Sequence, residues 1–175
     1  MPADHKPRRF LAIDLGDART GLAVGDSQTT LVTPAGQLNV PIAHQNGEAL
    51  LDAIARACDK LLGPGGALVL GLPLNMDGTT GPRARLVVAF AQRIRERTAR
   101  PVHLQDERLT SADADWSLSG SGLTHNQKKR RRDQIAATRI LQDFLARQSE
   151  PSTSSTRTDD TPREAHIEPE GENTE

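Results

Sequence analysis

Apolar and polar positions alternate or cluster along the chain in a way that predicts most of its elements. FLAIDL at 10–15 and TGLAV at 20–24 read as two strands around the polar turn GDAR, and so as a hairpin. TTLVTP at 29–34 lies close enough to extend an antiparallel meander. From Glu48 to Leu62 the period becomes helical, with Leu51, Ile54, Cys58 and Leu61 on one stripe and Asn46 as the expected N-cap. Gly63-Pro64-Gly65-Gly66 ends that helix. ALVLGLP at 67–73 is a short continuous apolar run, the pattern of a strand buried on both faces. After the glycine-rich NMDGTTG a helix opens at Pro82, with Val87, Phe90, Ala91 and Ile94 as its stripe. PVHLQ at 101–105 is a further strand, running into Asp106-Glu107-Arg108. A short helical stretch around 111–118, a basic turn and a final helix from about Arg131 to Arg147 complete the pattern.

The order is thus three strands, helix, strand, helix, strand, helix. A helical crossover between the last two strands implies parallel pairing, giving an α/β fold on a mixed five-stranded sheet with flanking helices. Residues 9–148 are expected to form one domain. Residues 1–8 are expected to be a flexible N-terminus. Residues 149–175 hold nine Ser or Thr, three Pro and only Ala165 and Ile167 as apolar residues. Such a segment cannot bury enough surface to offset its ordering entropy, so a disordered acidic tail is expected.

Charge sharpens this division. The net charge of −1 combines −6 over residues 149–175 with +5 over residues 1–148. A basic body suits a polyanionic partner, although many basic domains bind no nucleic acid. Phe10, Phe90, Trp116 and Phe144 are all the aromatic residues, which argues against binding through rows of stacked rings. The single Cys58 excludes an internal disulfide and reads as core. No run approaches the roughly 20 apolar residues of a membrane span, and no signal-like stretch opens the chain. A cytoplasmic protein without a membrane partner is expected.

Candidate chemistry rests on carboxylates. Asp14 interrupts the most apolar strand, where a charge is costly to bury without a partner or a metal. The plain alternative is that the strand ends at Ile13 and Asp14 caps a turn. Asp133 heads the stripe Ala136, Ala137, Ile140, Leu141 and Phe144, and so is expected to point toward the sheet; a helix-dipole role is the alternative. Glu107 ends the 101–105 strand, where it could instead pair with Arg108 or prepare the next helix. Asp77, in the glycine-rich loop, is its rival. Carboxylates converging from strand ends and a facing helix suit magnesium, or manganese in its place, for phosphodiester hydrolysis. Lys128 to Arg132 is a run of five cations that phosphate could neutralise, or merely a solvated loop. The histidines show no metal-ligand spacing.

In order, AIDLGDARTGLAVGD, GLPLNMDGTTGPRA, DERLTS and DQIAATRILQDFL resemble the YqgF/RuvX family over roughly residues 9–147. That family is also called the pre-16S rRNA nuclease or Holliday junction resolvase-like family. The resemblance implies an RNase H-like fold, cytoplasmic location and metal-dependent cleavage of phosphodiester bonds. It further implies processing of the 5′ end of precursor 16S rRNA in ribosome biogenesis. The family's acidic positions match Asp14, Glu107 and Asp133, which would be catalytic and hold the metal. Arg19 and Asn75 match polar motif positions near the site, and with Lys128, Lys129 and Arg130 they are the expected substrate contacts. Arg130 and Ala136 stand three residues either side of Asp133, so a second helical carboxylate is missing, which leaves room for one metal at a time as well as two. Precursor 16S rRNA is the expected partner and structured DNA the second, bound by a monomer or weak homodimer. Competing readings are a four-way junction resolvase, a noncatalytic RNA-binding assembly factor, and an actin-like or sugar-kinase ATP-binding domain. The last needs two lobes, which about 140 ordered residues cannot supply.

Overall fold

The computed structural model describes residues 9–108 and the helical backbone of 125–149, with side chains of that helix given for 135–148. In chain order the elements are β1 (Arg9–Leu15), β2 (Thr20–Asp26), β3 (Val32–Leu38), a short 3-10 turn (His44–Gly47), α1 (Glu48–Leu61), β4 (Ala67–Leu72), α2 (Pro82–Thr98), β5 (Val102–Asp106) and α3 (His125–Ser149). The sheet order is β3-β2-β1-β4-β5. β1 pairs antiparallel with β2, and β2 with β3, while β1–β4 and β4–β5 are parallel. A three-strand meander extended by two parallel strands is the RNase H-like arrangement expected from the sequence.

Both faces of the sheet are covered. Leu11, Ile13, Leu15, Leu22, Leu68, Leu70 and Val102 pack with α1 and α2 on one face. Phe10, Ala12, Ala23, Ala67 and Val69 pack under Ala137, Ile140, Leu141, Phe144 and Leu145 of α3 on the other. Alternate strand residues point to opposite faces, so a central strand covered on both sides must be apolar throughout. That is why β4, and β1 as far as Ile13, read as apolar runs.

Four local expectations need correction. The third strand covers Val32–Leu38, not 29–34. The Asp26 carboxylate accepts the Gln28 and Thr29 amides at 2.8 and 3.2 Å, folding 26–30 into a turn and leaving Leu31 exposed. Pro34 is tolerated because β3 is an edge strand. Helix α1 is not capped by Asn46, which lies in the left-handed region at φ 54°. Gly47, at φ 84°, takes that place without a side-chain cap. At its other end α1 stops at Leu61, which is half-buried against the core as its stripe implied, and Leu62, expected inside the helix, is buried just past it.

The last correction bears on function. Helix α3 starts at His125, six residues before the expected Arg131. Lys128 to Arg132 therefore lie inside a helix, not in a basic turn. Lys, Arg and Gln are strong helix formers, and a helix spreads consecutive cations round its axis at about 100° each. The helical stretch expected around 111–118, the N-terminus 1–8 and the acidic tail beyond 149 lie outside the described residues.

Gly47 offers a check on the α1 entry. A Cβ there would come within 2.9 Å of the Phe90 ring and 3.0 Å of the Arg93 guanidinium, at a backbone angle that L residues rarely adopt. Gly47→Ala is expected to cost about 1–3 kcal/mol, lowering Tm by several degrees in a melt followed by circular dichroism. An unchanged Tm would show that the left-handed entry is not needed.

Candidate active site

The site forms where β1, β4 and β5 end side by side. Phe10 and Ala12 of β1 face α3, so Asp14, two residues on, continues that row at the strand end, half-buried. Ala67 and Val69 of β4 share the α3 face, and Gly71 continues them. The parallel register pairs Ile13 with Leu70, which sets Gly71 beside Asp14. Gly71 is what makes room. A Cβ at that position would lie 1.7 Å from Glu107 Oε1 and 2.6 Å from Ile140 Cδ1. The Glu107 carboxylate thus occupies the volume that a side chain on β4 would fill.

Neighbouring pairs decide why Glu107 turns inward. Arg108 does not pair with it; its guanidinium grips Asp106 instead, through Nε to Oδ2 at 2.8 Å and Nη2 to Oδ2 at 2.6 Å. Asp77, the rival acid, is committed to its own loop. It accepts the Thr79 amide at 2.9 Å and the Thr79 hydroxyl at 2.6 Å, and these bonds hold its pKa below the ordinary value. Glu107 behaves in the opposite way. Burial, and after it the charge of Asp14, push its pKa up to about 7, while Arg83 acts against them. Two carboxylates that feel each other thus meet beside the glycine.

The donor set fits a hard divalent cation. Oxygen ligands are what magnesium and manganese prefer, and a dication between the two carboxylates would offset the burial and the repulsion that raise the Glu107 pKa. Among the described residues, no group of three or more His, Cys, Asp or Glu side chains is close enough to hold a metal. The third acid, Asp133, lies in α3, and its side chain is outside the described residues. Its backbone position can be stated. Phe144 packs on Phe10 near the start of β1, and Ile140 reaches Gly71 near the end of β4. Moving toward the N-terminus of α3 therefore leads toward Asp14, and Asp133 lies seven residues before Ile140. Asp133 is in the third turn of α3, not the first.

Arg19 closes the β1–β2 turn. Its carbonyl lies 2.3 Å from where a Gly16 Cβ would be, so the turn demands glycine there. Asn75 holds the glycine-rich loop together: its amide group donates to Thr79 Oγ1 at 2.8 Å, and its backbone exchanges bonds with Thr79 and Gly78. Lys128, Lys129 and Arg130 are on α3, with side chains outside the described residues.

Sequence reading missed Gly71 and Arg83. A glycine inside the apolar run ALVLGL was the available signal, since glycine in a strand often marks a close approach. Arg83 stands in the first turn of α2, where its Nη2 donates to the Leu15 carbonyl and its Nη1 to the Asp17 carboxylate. Nothing in the local pattern announced it, because both acceptors are more than 60 residues away in sequence.

The raised pKa of Glu107 has a consequence for the metal-free protein. Below about 4.5 the folded and unfolded chains both hold the proton. From 4.5 to about 7 the unfolded chain gives it up first, so this group increasingly favours unfolding, and the penalty is complete above 7. In EDTA the Tm should therefore fall by several degrees between pH 5 and pH 8, and Glu107→Gln should flatten that slope. Equal slopes in the two proteins would mean that Glu107 titrates normally.

Comparison with known proteins gives the family. Residues 8–147 match the family RuvX, described as Holliday junction resolvase. A Chloroflexus aurantiacus protein named "Putative pre-16S rRNA nuclease" is 37% identical over 146 residues, covering 83% of this chain and 92% of its own. An Anaeromyxobacter sp. (strain Fw109-5) protein of the same name is 40% identical over 137 residues, covering 78% of this chain and 96% of its own. Among solved structures, Thermus thermophilus RuvC in complex with a Holliday junction substrate aligns with 81% of this chain and 96% of its own, at a TM-score of 0.46 and 12% identity. The fold itself is read from the strand order above. The chain belongs to the RuvX family of phosphodiester-hydrolysing nucleases.

Proposed function

We propose that this nuclease is metal-dependent and trims the 5′ end of precursor 16S rRNA, with Asp14, Glu107 and Asp133 as its catalytic, metal-holding acids. The observation that carries this reading is the meeting of Asp14 and Glu107 over Gly71. A bound magnesium or manganese ion would polarise the scissile phosphate and lower the pKa of its water. The chain's own residues do the rest. Asp14 is fixed by β1 and its turn, and Glu107 by the end of β5, so both carboxylates are set in place before substrate arrives. Arg19, Asn75, Lys128, Lys129 and Arg130 would hold phosphates around that centre, which positions a strand without reading its sequence.

The relatives' name supports the choice of RNA, and the family description keeps a four-way DNA junction as the alternative substrate. Among the described residues no helix is long and apolar enough to cross a membrane. A cytoplasmic site of action, as a monomer or weak homodimer, goes with this reading, as does a nuclease domain at 9–148 flanked by a flexible N-terminus and an acidic tail. The test is incubation of purified protein with precursor 16S 5′-leader RNA and with a four-way junction, each in magnesium, manganese or EDTA. Metal-dependent cutting of the leader alone is expected. Cutting of the junction alone would make the protein a resolvase, and binding of RNA without cleavage would make it an assembly factor.

The basic run supplies a further check. Replacing Lys128, Lys129 and Arg130 with Gln should weaken binding of many RNAs about equally. The log–log salt slope should become shallower, by roughly one unit for each phosphate no longer neutralised. Three consecutive helical positions span about 200° round the axis, so not all three are expected to reach one backbone. Fluorescence anisotropy across a salt series makes the measurement, and identical slopes would remove the run from the substrate path.

A further inference from the structure

We infer that Arg83 is a positioning residue, locking the end of β1 that carries Asp14 onto the first turn of α2. This rests on the reading of Asp14 and Glu107 as the catalytic acids.

The guanidinium has two separate acceptors on one short turn. Nη2 donates to the carbonyl of Leu15, the residue directly after Asp14, and Nη1 to the carboxylate of Asp17. Its field also reaches Glu107, on the far side of β4. One side chain thus touches the hairpin bearing the first acid and lies within electrostatic range of the second. Elsewhere, the described β1–β2 turn is tied to its surroundings through the Asp17 carbonyl, which accepts the Ile42 amide at 3.0 Å. That bond holds the middle of the turn, β2 pairs with Asp14 and Leu15 from one side, and Arg83 adds a tie from α2.

The fork shape matters. A guanidinium presents parallel N–H groups in a fixed plane, whereas a lysine ammonium is a point donor on a flexible stem. Arg83→Lys would keep the charge and give up one of the two acceptors. Asp17 is itself 85% exposed on its side chain, so its bond to Arg83 adds little to global stability. The other arm, on the part-buried Leu15 carbonyl, fixes the backbone one residue from an active-site acid and so acts on geometry. A small misplacement of a reacting group can cost about a hundredfold in rate. Groups that orient metal ligands from behind commonly cost tenfold to about a hundredfold when removed.

The experiment measures Mn2+ affinity by titration calorimetry, and kcat and KM on whichever substrate the wild type cleaves, leader RNA or four-way junction. Wild type, Arg83→Lys, Arg83→Ala, Asp17→Ala and Asp14→Asn are compared. Arg83→Lys and Arg83→Ala should remain folded, bind Mn2+ about tenfold more weakly and lose about tenfold to a hundredfold in kcat, with KM nearly unchanged. Asp17→Ala, which removes one arm, should fall between them and wild type. Were Arg83→Ala to unfold, Asp17→Ala and Arg83→Lys carry the same comparison. A rise in KM with kcat and Mn2+ affinity intact would make Arg83 a phosphate contact and overturn the positioning role, as would wild-type values throughout. Full activity in Asp14→Asn would instead sink the assignment of the acids, independently of what Arg83 does.

Discussion

Asp14→Asn is expected to lower cleavage by about a thousandfold while the protein stays folded. Such a loss corresponds to about 4 kcal/mol of transition-state stabilisation, in the range of what a well-placed metal ion supplies. The substitution keeps the shape of the side chain and removes the charge. In a purely structural role that would leave a half-buried polar group with fewer bonds and a lower Tm. In EDTA at pH 8 part of that cost should be offset, because the Asp14 charge is one of the causes that raise the pKa of Glu107. Wild-type protein should gain Tm on adding Mn2+, by mass action on the folded state, and the variant should gain much less. Asp133→Asn and Glu107→Gln should lose activity similarly. If Asp77→Asn is the inactive variant and Glu107→Gln is not, the second acid has been misassigned.

Gly71→Ala should also cost activity, through one methyl group. Its Cβ would claim the space of Glu107 Oε1, at 1.7 Å, and press on Ile140 Cδ1 at 2.6 Å. The two neighbours will yield unequally. Ile140 is 2% exposed in a packed core, where overpacking costs about 1–3 kcal/mol. Glu107 presents the far end of a flexible side chain and can swing out. The expected result is a folded protein with a modestly lower Tm, Mn2+ affinity reduced at least tenfold, and cleavage down by about a hundredfold. A double-mutant comparison separates the two effects. In a Glu107→Ala background the added methyl meets Ile140 alone, so it should cost less stability than in wild type and change activity no further. Full activity in Gly71→Ala would show that the carboxylate does not need the place above β4.

Much of this was legible in the chain because it depends on local patterns. β1, β2, β4, β5 and the cores of α1 and α2 follow from short apolar periods, and the parallel pairing of β4 with β5 follows from the α2 crossover between them. The motifs also picked out Asp14 and Glu107, since each breaks or ends an apolar strand. Where local chemistry competed, the pattern misled. The Asp26 carboxylate folded Gln28 and Thr29 into a turn and pushed β3 three residues along, and the helix propensity of Lys, Arg and Gln drew 125–130 into α3 against a reading as a charged turn.

The choice among neighbouring acids was made elsewhere. Asp77, Asp106 and Glu107 are all polar residues at or just past a strand end, and sequence alone left Glu107 with three possible occupations. Only the packed structure gives Asp77 to Thr79 and Asp106 to Arg108, and turns Glu107 over a glycine whose register with β1 sets it beside Asp14. Arg83 shows the same division, because its acceptors lie 66 and 68 residues away. Period and propensity act over a few residues and can be read from the chain. The sharing of hydrogen bonds and empty volume among distant side chains depends on which strands lie side by side, and that is decided when the sheet closes on its two cores.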